Sequence, residues 1–312
     1  METFKRNEIM IAIVIPYYKI IYFEDTLKSL ANQTSKKFHV YIGDDASPEA
    51  PSKLLDKYKG QFDFSYHRFD ENLGGKSLTK QWERCIDLTK DEMWIMILGD
   101  DDYLEETVFE SWYENYDAFA SKTNLVRFAT KMVNEKDDTI SEVYQHPVWE
   151  IATDAYLRKF NYSTRSSLSE YIFKKASYVK YGFYNYPLAW NSDDHAWLEF
   201  SDGKPIYTIN KSLIYFRLSN SNISGKEDNV LKKSVSQNKF YKFLINQKLR
   251  FYNNEDRIRI LRRYESHIFK TRKPTLGEWL YLMFRHIQQF NFIEIKKVIK
   301  RFLNTILRRH EH

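Results

Sequence analysis

The chain has 312 residues, of which 43% are hydrophobic and 17% aromatic, so it is long enough to form one large domain or two small ones. This composition excludes an intrinsically disordered protein. The single cysteine, Cys85, excludes an intrachain disulfide and is typical of a protein from a reducing compartment.

The net charge of +6 is unevenly distributed along the chain. Residues 226–312 contain 21 Lys and Arg against 8 Asp and Glu, whereas residues 1–225 contain 27 against 34. A basic end on an acidic body is typical of contact with a polyanion, although a solvated pair of basic helices has the same composition. We therefore predict two parts, 1–225 and 226–312.

Short apolar runs alternate with segments of helical spacing over the first 130 residues. We predict strands at 9–15, 38–42, 62–69, 93–98 and 124–129, and helices at 23–33, 49–59, 75–90 and 105–121. The first run ends at Pro16, lacks a signal-peptide cleavage pattern and is far below the ~20 residues of a membrane span. The alternation predicts a largely parallel sheet with helices on both faces, in which ligands bind beyond the carboxyl ends of the strands.

Beyond residue 130 the pattern loosens into aromatic-rich segments. We predict a strand at 205–218 and, from residue 229 onward, helices rich in Lys, Arg and aromatic residues.

Acidic residues follow several of the predicted strands. They are Asp44-Asp45 in GDDAS, Asp70-Glu71 before Asn72, and Asp100-Asp101-Asp102 in LGDDDYL. Three carboxylates at one strand end are suited to a divalent cation that neutralises a diphosphate. As an alternative, Asp102 is an N-cap for a helix starting near Leu104.

The glycine-containing loop NLGGK, residues 72–76, suits close approach of Lys76 to a phosphate and equally suits an ordinary loop. Neither a Walker loop nor a G-x-G-x-x-G motif is present, which disfavours a P-loop NTPase and a standard dinucleotide enzyme.

Four ordered motifs, IAIVIPYYK, YIGDDAS, ENLGG and LGDDDYL, resemble the family 2 glycosyltransferases, closely over residues 9–115 and again over 187–225. The resemblance implies the A-type glycosyltransferase fold: an α/β protein with a mostly parallel, Rossmann-like central sheet flanked by helices. Residues 1–225 would form the nucleotide-sugar-dependent domain and 226–312 a basic helical extension. The family transfers a sugar from a nucleotide diphosphate, a UDP-sugar being favoured here, to an acceptor hydroxyl with inversion, using Mg²⁺ or Mn²⁺.

Site residues also follow from the resemblance. Asp101 would ligate the metal directly, with Asp100 near the ribose or the metal and Asp102 in support. The remaining nucleotide-sugar contacts are assigned to Pro16 and Tyr18 beside the base, to Asp45 with Asp44, and to Asn72 and Lys76.

An inverting transfer also needs a base that takes the acceptor proton. In SDDHAWLEF, Asp194 falls at the position of the family's base, with Asp193 beside it and His195 as a neighbour. The alternative is that Ser192 or Asp193 only caps a helix over 194–200.

One departure from the family pattern concerns IYFRLSNSNISG, residues 214–225. Ser219 stands where many members have a histidine that approaches the metal, so we expect modest metal affinity. Arg217 would instead compensate the charge of the diphosphate.

The final segment, IEIKKVIKRFLNTILRR (293–309), has apolar residues on one predicted helical face and basic residues on the other. Together with 279–290 it predicts contact with an anionic membrane surface, packing on the protein itself or formation of a dimer. The combined interpretation is a cytoplasmic enzyme, peripheral on the inner face of the plasma membrane, that glycosylates a saccharide or lipid-linked saccharide in capsule- or O-antigen-type synthesis.

Two rival functions remain open. One is a catalytically silent subunit that binds sugar nucleotides or glycans. The other, a nucleotidyltransferase, would need a basic triphosphate clamp near the first strand, where PYYKIIYFEDT supplies only Lys19. Nucleic-acid binding is not predicted, because no recognised motif appears in the basic end.

Overall fold

A computed structural model describes residues 11–220, 222–225, 229–289 and 292–307. The chain forms two compact units, Met1–Asp228 and Asn229–His312. In the described residues no helix combines the length and the apolar character needed to cross a membrane.

The first unit is built on one twisted sheet. Its strands are β1 (Ile11–Tyr17), β2 (Phe38–Asp44), β3 (Phe64–Arg68), β4 (Trp94–Ile97), β5 (Tyr103–Leu104), β6 (Leu125–Asn134), β7 (Thr139–Ile140), β8 (Trp149–Glu150), β9 (Tyr171–Lys174) and β10 (Ile206–Leu218). The strand order is β3-β2-β1-β4-β9-β6-β10-β5, with β7 beside β6 and β8 beside β10. Strands β3, β2, β1 and β4 are mutually parallel, and β6 and β10 also pair in parallel.

The apolar runs form the centre of this sheet because they are buried on both faces. All residues of β4 are buried, and β1 is buried except for the half-buried Pro16. The register pairs Tyr17 with Asp44 and Asp44 with Arg68, so the carboxyl ends of β1, β2 and β3 meet at one edge. This edge is where the sequence places its acidic loops.

Helices cover the sheet and pack their apolar faces on it. They are α1 (Phe23–Ala31), α2 (Ser52–Tyr58), α3 (Leu78–Ile86), α4 (Val108–Phe119), α5 (Ala152–Phe160), α6 (Lys175–Tyr181) and α7 (Ser192–Phe200), with a 3₁₀ turn at Pro187–Ala189. In α3, for example, Trp82, Cys85 and Ile86 are buried, and Ser77 caps the helix by accepting from the Lys80 amide.

The predicted fold class is confirmed, with local corrections. The strand predicted at 9–15 begins outside the described residues, and its described part runs on to Tyr17. The helix expected near Leu104 starts at Val108 instead, because Tyr103 and Leu104 pair with β10 as a short strand. Asp102 is therefore not a helix cap. Strand β9, which lies antiparallel between β4 and β6, is absent from the sequence-based prediction.

The second unit consists of helices. They are α8 (Val230–Phe243), α9 (Asn254–Thr271), α10 (Leu276–Gln288) and α11 (Phe292–Leu307), with a π-helical turn at Leu244–Lys248 and a 3₁₀ turn at Leu249–Phe251. Thr275 and Glu278 form a capping box that starts α10, and Trp279 of this helix contacts Phe302 of α11 at 5.7 Å between ring centroids.

The apolar stripe predicted for 293–309 is only partly available to a partner. Val298 is buried, Ile295 and Phe302 are half-buried, and Ile299 and Leu303 are exposed. Its basic end, Arg308 and Arg309, and the side chain of Ile306 lie outside what the structure describes.

Candidate functional site

Asp100 links the loop after β4 to the residues that follow β1 through hydrogen bonds. Its Oδ2 accepts hydrogen bonds from the backbone amides of Tyr18 and Lys19, both at 2.8 Å. Burial, followed by the negative charge of Asp101, raises the pKa of Asp100 to about 7. The apolar run of β4 is thus followed by a carboxyl group whose charged form is destabilised by burial. Its own loop, residues 99–102, contains no Lys or Arg.

Asp101 is also half-buried, and among the described residues it accepts one side-chain hydrogen bond. Its Oδ2 accepts from Asn222 Nδ2 at 3.2 Å, and burial raises the pKa of this carboxyl group. A side chain at Gly99 would press on this group, since a Cβ there would lie 2.9 Å from Asp101 Oδ1. Glycine before the three aspartates thus leaves room for their carboxylates, whereas a larger residue would make the Asp101 side chain shift.

Asp102 has a supporting role. Its Oδ1 accepts from the Arg217 amide at 2.8 Å and its Oδ2 accepts from Ser169 Oγ. Burial and the charge of Asp101 raise its pKa to about 7. Because both of its oxygens already have donors, we assign Asp102 to holding the loop rather than to direct metal ligation.

The donor set is compatible with a divalent cation. Within the described ranges no three Asp, Glu, His or Cys side chains converge on one point, so the chain alone does not enclose an ion. Mg²⁺ in phosphate-binding sites commonly takes one or two carboxylates and completes its shell with phosphate and water oxygens. Asp101, with Asp100 beside it, offers that partial set, and their raised pKa values reflect buried negative charge that a cation would neutralise. Ser219, at the position of the family histidine, is buried.

Arg217, which the sequence assigns to the charge of the diphosphate, is hydrogen-bonded through its side chain to three protein groups. Its guanidinium donates to the Asp101 carbonyl at 2.9 Å, to Asp25 Oδ2 at 2.7 Å and to Glu135, and it stacks 4.1 Å from the Tyr22 ring centroid. All three guanidinium nitrogens are used in these contacts. Arg217 therefore fixes the loop that presents Asp101.

Asp44 is buried and stabilises the turn after β2 through hydrogen bonds. Its Oδ1 accepts from the Ser47 amide at 2.7 Å, while its Oδ2 accepts from Tyr66 at 2.6 Å and from Arg68 at 2.7 Å. With no solvent exposure, Asp44 supports this edge of the sheet rather than offering a free carboxylate to a ligand.

Asp45 orders the glycine-containing loop. It accepts from the amides of Leu73 at 2.7 Å and Gly74 at 2.9 Å, and from Arg84, whose guanidinium lies 3.9 Å from the Phe69 ring centroid. A Cβ at Gly74 would meet Asp45 Oδ2 at 2.6 Å, so only glycine allows this approach. Arg84 was missed by sequence reasoning because its contact with Asp45 spans 39 residues.

The remaining predicted donor contacts lie along the same edge. Pro16 pairs with Gly43 in the sheet register, and the half-buried Tyr18 follows β1 directly. Asn72 uses its Oδ1 to accept from the Gly75 amide at 2.6 Å. Lys76 is exposed and pairs with Glu71 at 2.7 Å.

A second acidic pair starts α7. The helix begins at Ser192 and its N-cap is Asn191, in the left-handed region at φ 68°, so Asp193 and Asp194 lie in the first turn and neither is the cap. Asp194 is buried, and both of its oxygens are used: Lys159 Nζ donates to Oδ1 at 2.6 Å and Asn191 Nδ2 to Oδ2 at 2.8 Å.

Asp193 differs from Asp194 in being partly accessible. Burial, followed by the charge of Asp194, raises its pKa to about 7, so it titrates near neutral pH. His195 points elsewhere, since its Nδ1 is hydrogen-bonded to the Tyr186 hydroxyl at 2.9 Å and its ring stacks on Tyr184. Of the residues in this turn, Asp193 is the better placed to exchange a proton.

One segment, residues 166–171, contacts Asp102 and also two neighbours of the second acidic pair, Lys159 and Trp197. Ser169 donates to Asp102, the Ser166 carbonyl accepts from Lys159 at 3.4 Å, and Tyr171 stacks on Trp197 of α7 at 4.2 Å. The strand that follows, β9, is thus the element that links the aspartates after β4 to those of α7.

Comparison with known proteins identifies the family. The model of "Glycosyl transferase family 2" matches residues 12–177, which is more than half of the chain. The protein belongs to glycosyl transferase family 2. No curated protein gave a significant match.

Solved structures agree with this glycosyltransferase fold. S. aureus TarS 1-349 in complex with UDP-GlcNAc superimposes with a TM-score of 0.61 at 16% identity, covering 89% of this chain and 80% of that chain. GalNAc-T7 with UDP, GalNAc and Mn²⁺ gives a TM-score of 0.52 at 12% identity, covering 84% and 55%. In a structure of S. aureus TarS, the match to the present protein covers 49% of the TarS chain. At such identities the likeness establishes the fold alone.

Proposed function

We propose that the protein is an inverting glycosyltransferase that moves a sugar from a UDP-sugar to a hydroxyl group of a saccharide acceptor. The observation that carries this proposal is the half-buried pair Asp100 and Asp101 at the carboxyl edge of a parallel sheet. Burial raises both pKa values, and among the described residues Asp101 accepts a side-chain hydrogen bond from Asn222 alone. Mg²⁺ or Mn²⁺, bound together with the nucleotide diphosphate, would supply the missing positive charge.

The choice of a UDP-sugar is supported by the similar structures, two of which contain UDP-GlcNAc or UDP and one of which also contains Mn²⁺. In this chain the loop tied down by Asp45 and the segment after β1 would bind the nucleoside, and Asp101 with Asp100 would hold the metal. When bound, the metal stabilises the departing diphosphate.

On the acceptor side, Asp193 takes the proton of the attacking hydroxyl group. The acceptor oxygen then forms a bond to the anomeric carbon as that carbon's bond to the diphosphate breaks, so the sugar inverts and UDP leaves. Sequence resemblance assigned the base to Asp194, but both oxygens of Asp194 are engaged by Lys159 and Asn191. We therefore assign the base to Asp193 and a positioning role to Asp194.

The acceptor is proposed to be a saccharide, in lipid-linked form, of capsule- or O-antigen-type polysaccharide synthesis. A basic helical unit supports a place on the inner face of the plasma membrane, since anionic lipids attract such a surface.

Hydrolysis of a panel of sugar nucleotides, with Mn²⁺, Mg²⁺ or EDTA, tests the proposal. We expect release of UDP from at least one UDP-sugar and its loss with EDTA. Asp193→Asn should strongly reduce turnover while UDP still binds, whereas a catalytically silent binding subunit would bind UDP-sugars and release no UDP even as the wild type.

A further inference from the structure

The outer face of α10 is apolar along its whole length. Leu276, Leu280, Phe284 and Ile287 are between 53 and 62% exposed, and their spacing of four, four and three residues places them on one side of the helix. The opposite side packs inward through buried Trp279, Leu282 and His286. A contiguous exposed stripe of this kind indicates a surface that is covered in the working protein.

Helix α11 adds a second exposed apolar strip with basic neighbours. Phe292, Ile299 and Leu303 are exposed on one side of this helix, and the exposed Lys296 and Lys300 follow on the adjoining side. The strip differs from the one expected from sequence, because Val298 packs inward.

Acidic residues are missing from both exposed faces. The only acidic residue of α10, Glu278, is buried against Arg272 at 2.7 Å. The only one of α11, Glu294, is buried and paired with Arg262 and with Lys297 at 2.9 Å. The outer surface of these two helices therefore combines apolar side chains with positive charge alone.

We infer that the exposed faces of α10 and α11 form a seat for an anionic lipid surface, with Leu276, Leu280, Phe284 and Ile287 entering the headgroup region. Apolar side chains flanked by lysines match the acyl boundary and the phosphates of such a surface. A second copy of the chain is a poorer partner, because pairing through α11 would bring lysines together, and neither α10 nor α11 has an exposed acidic residue to oppose them. This inference specifies the membrane partner of the proposed function and does not depend on the transfer chemistry.

Flotation of the full chain with vesicles tests the seat. We expect binding to vesicles of phosphatidylcholine with phosphatidylglycerol and much weaker binding to phosphatidylcholine alone. Leu280→Ser with Phe284→Ser should weaken binding on the order of tenfold or more, since two half-exposed apolar side chains leave the lipid. Leu231→Ser, which removes an even more exposed apolar side chain from α8, is the control and should bind as the wild type.

Lys296→Gln with Lys300→Gln provides a second variant that leaves the apolar face intact. It should lose most of the preference for phosphatidylglycerol. The inference is overturned if the wild type ignores both kinds of vesicle, or if the α10 variant floats as well as the control. It is equally overturned if light scattering shows a dimer that the α10 variant dissociates. UDP release without vesicles should be the same in all variants, so failure of the seat is distinguishable from failure of the enzyme.

Discussion

Lys159 Nζ lies 2.6 Å from Asp194 Oδ1, and this contact joins α5 to the first turn of α7. It fixes the carboxylate that the sequence singled out as the base, whereas Asp193, its neighbour, is partly accessible. The two aspartates of one turn thus have different environments, and we propose different tasks for them.

Replacing Asp193 by Asn should reduce the rate of transfer by about two to four orders of magnitude, which is the usual contribution of a positioned base. The amide keeps the shape of the side chain and removes its ability to accept a proton. Asp194→Asn is the matched comparison: it should mainly lower stability, because Lys159 loses its partner. Turnover numbers and denaturation midpoints of both variants would decide the assignment, and loss of turnover in Asp194→Asn alone would reverse it.

The rate of transfer should rise with pH through about 7, because the base acts as a carboxylate and burial holds the pKa of Asp193 at about 7. Lys159 is the cation that lowers this pKa, whereas Asp194 raises it. Lys159→Met should therefore move the acid limb of the pH–rate profile to higher pH, and Lys159→Arg should largely restore it. A profile unchanged in a well-folded Lys159→Met variant would contradict this role.

Ser169→Ala should lower the free energy of unfolding by about 1–3 kcal/mol, because it leaves Asp102 Oδ2 buried without a donor. Urea denaturation measures the change. Ser163→Ala, whose hydroxyl group makes an exposed bond to the Arg158 carbonyl, is the control and should stay within about 0.5 kcal/mol of the wild type. Equal effects at the two serines would mean that Asp102 does not depend on Ser169.

Arg217→Lys should lower stability and weaken the binding of UDP with Mn²⁺. A lysine keeps the charge but cannot reach Asp25, Glu135 and the Asp101 carbonyl together, so the loop that presents Asp101 loosens. Calorimetric titration with UDP and Mn²⁺ measures the loss. Lys211→Met, which breaks an exposed pair with Glu114, is the control expected to change neither property.

Local signals explain why the central sheet could be predicted from sequence. Apolar runs such as those of β1 and β4 are buried on both faces and stand out against the helical spacing of α3. The fold class could be predicted for this reason, and it is confirmed. Strand β9 was missed because it has only four residues, Tyr171–Lys174, and follows a serine-rich stretch without an alternating pattern.

The side chains that bind the acidic groups and shift their pKa values could not be predicted from such local signals. Lys159 meets Asp194 across 35 residues, and Ser169 meets Asp102 across 67, so no spacing in the sequence signals either contact. The contacts of Arg217 with Asp25 and Glu135 could not be predicted either, because these partners lie far away in the sequence. Its role toward a diphosphate remains a prediction. The roles of Pro16, Tyr18, Asn72 and Lys76 remain predictions.

Titrating UDP into the wild type and Asp101→Asn, each with Mn²⁺ and with EDTA, tests the cation site most directly. We expect the wild type to bind UDP far more tightly with Mn²⁺ than with EDTA. We expect Asp101→Asn to remove this difference without unfolding the protein. Equal binding of UDP by the wild type in Mn²⁺ and in EDTA would contradict it.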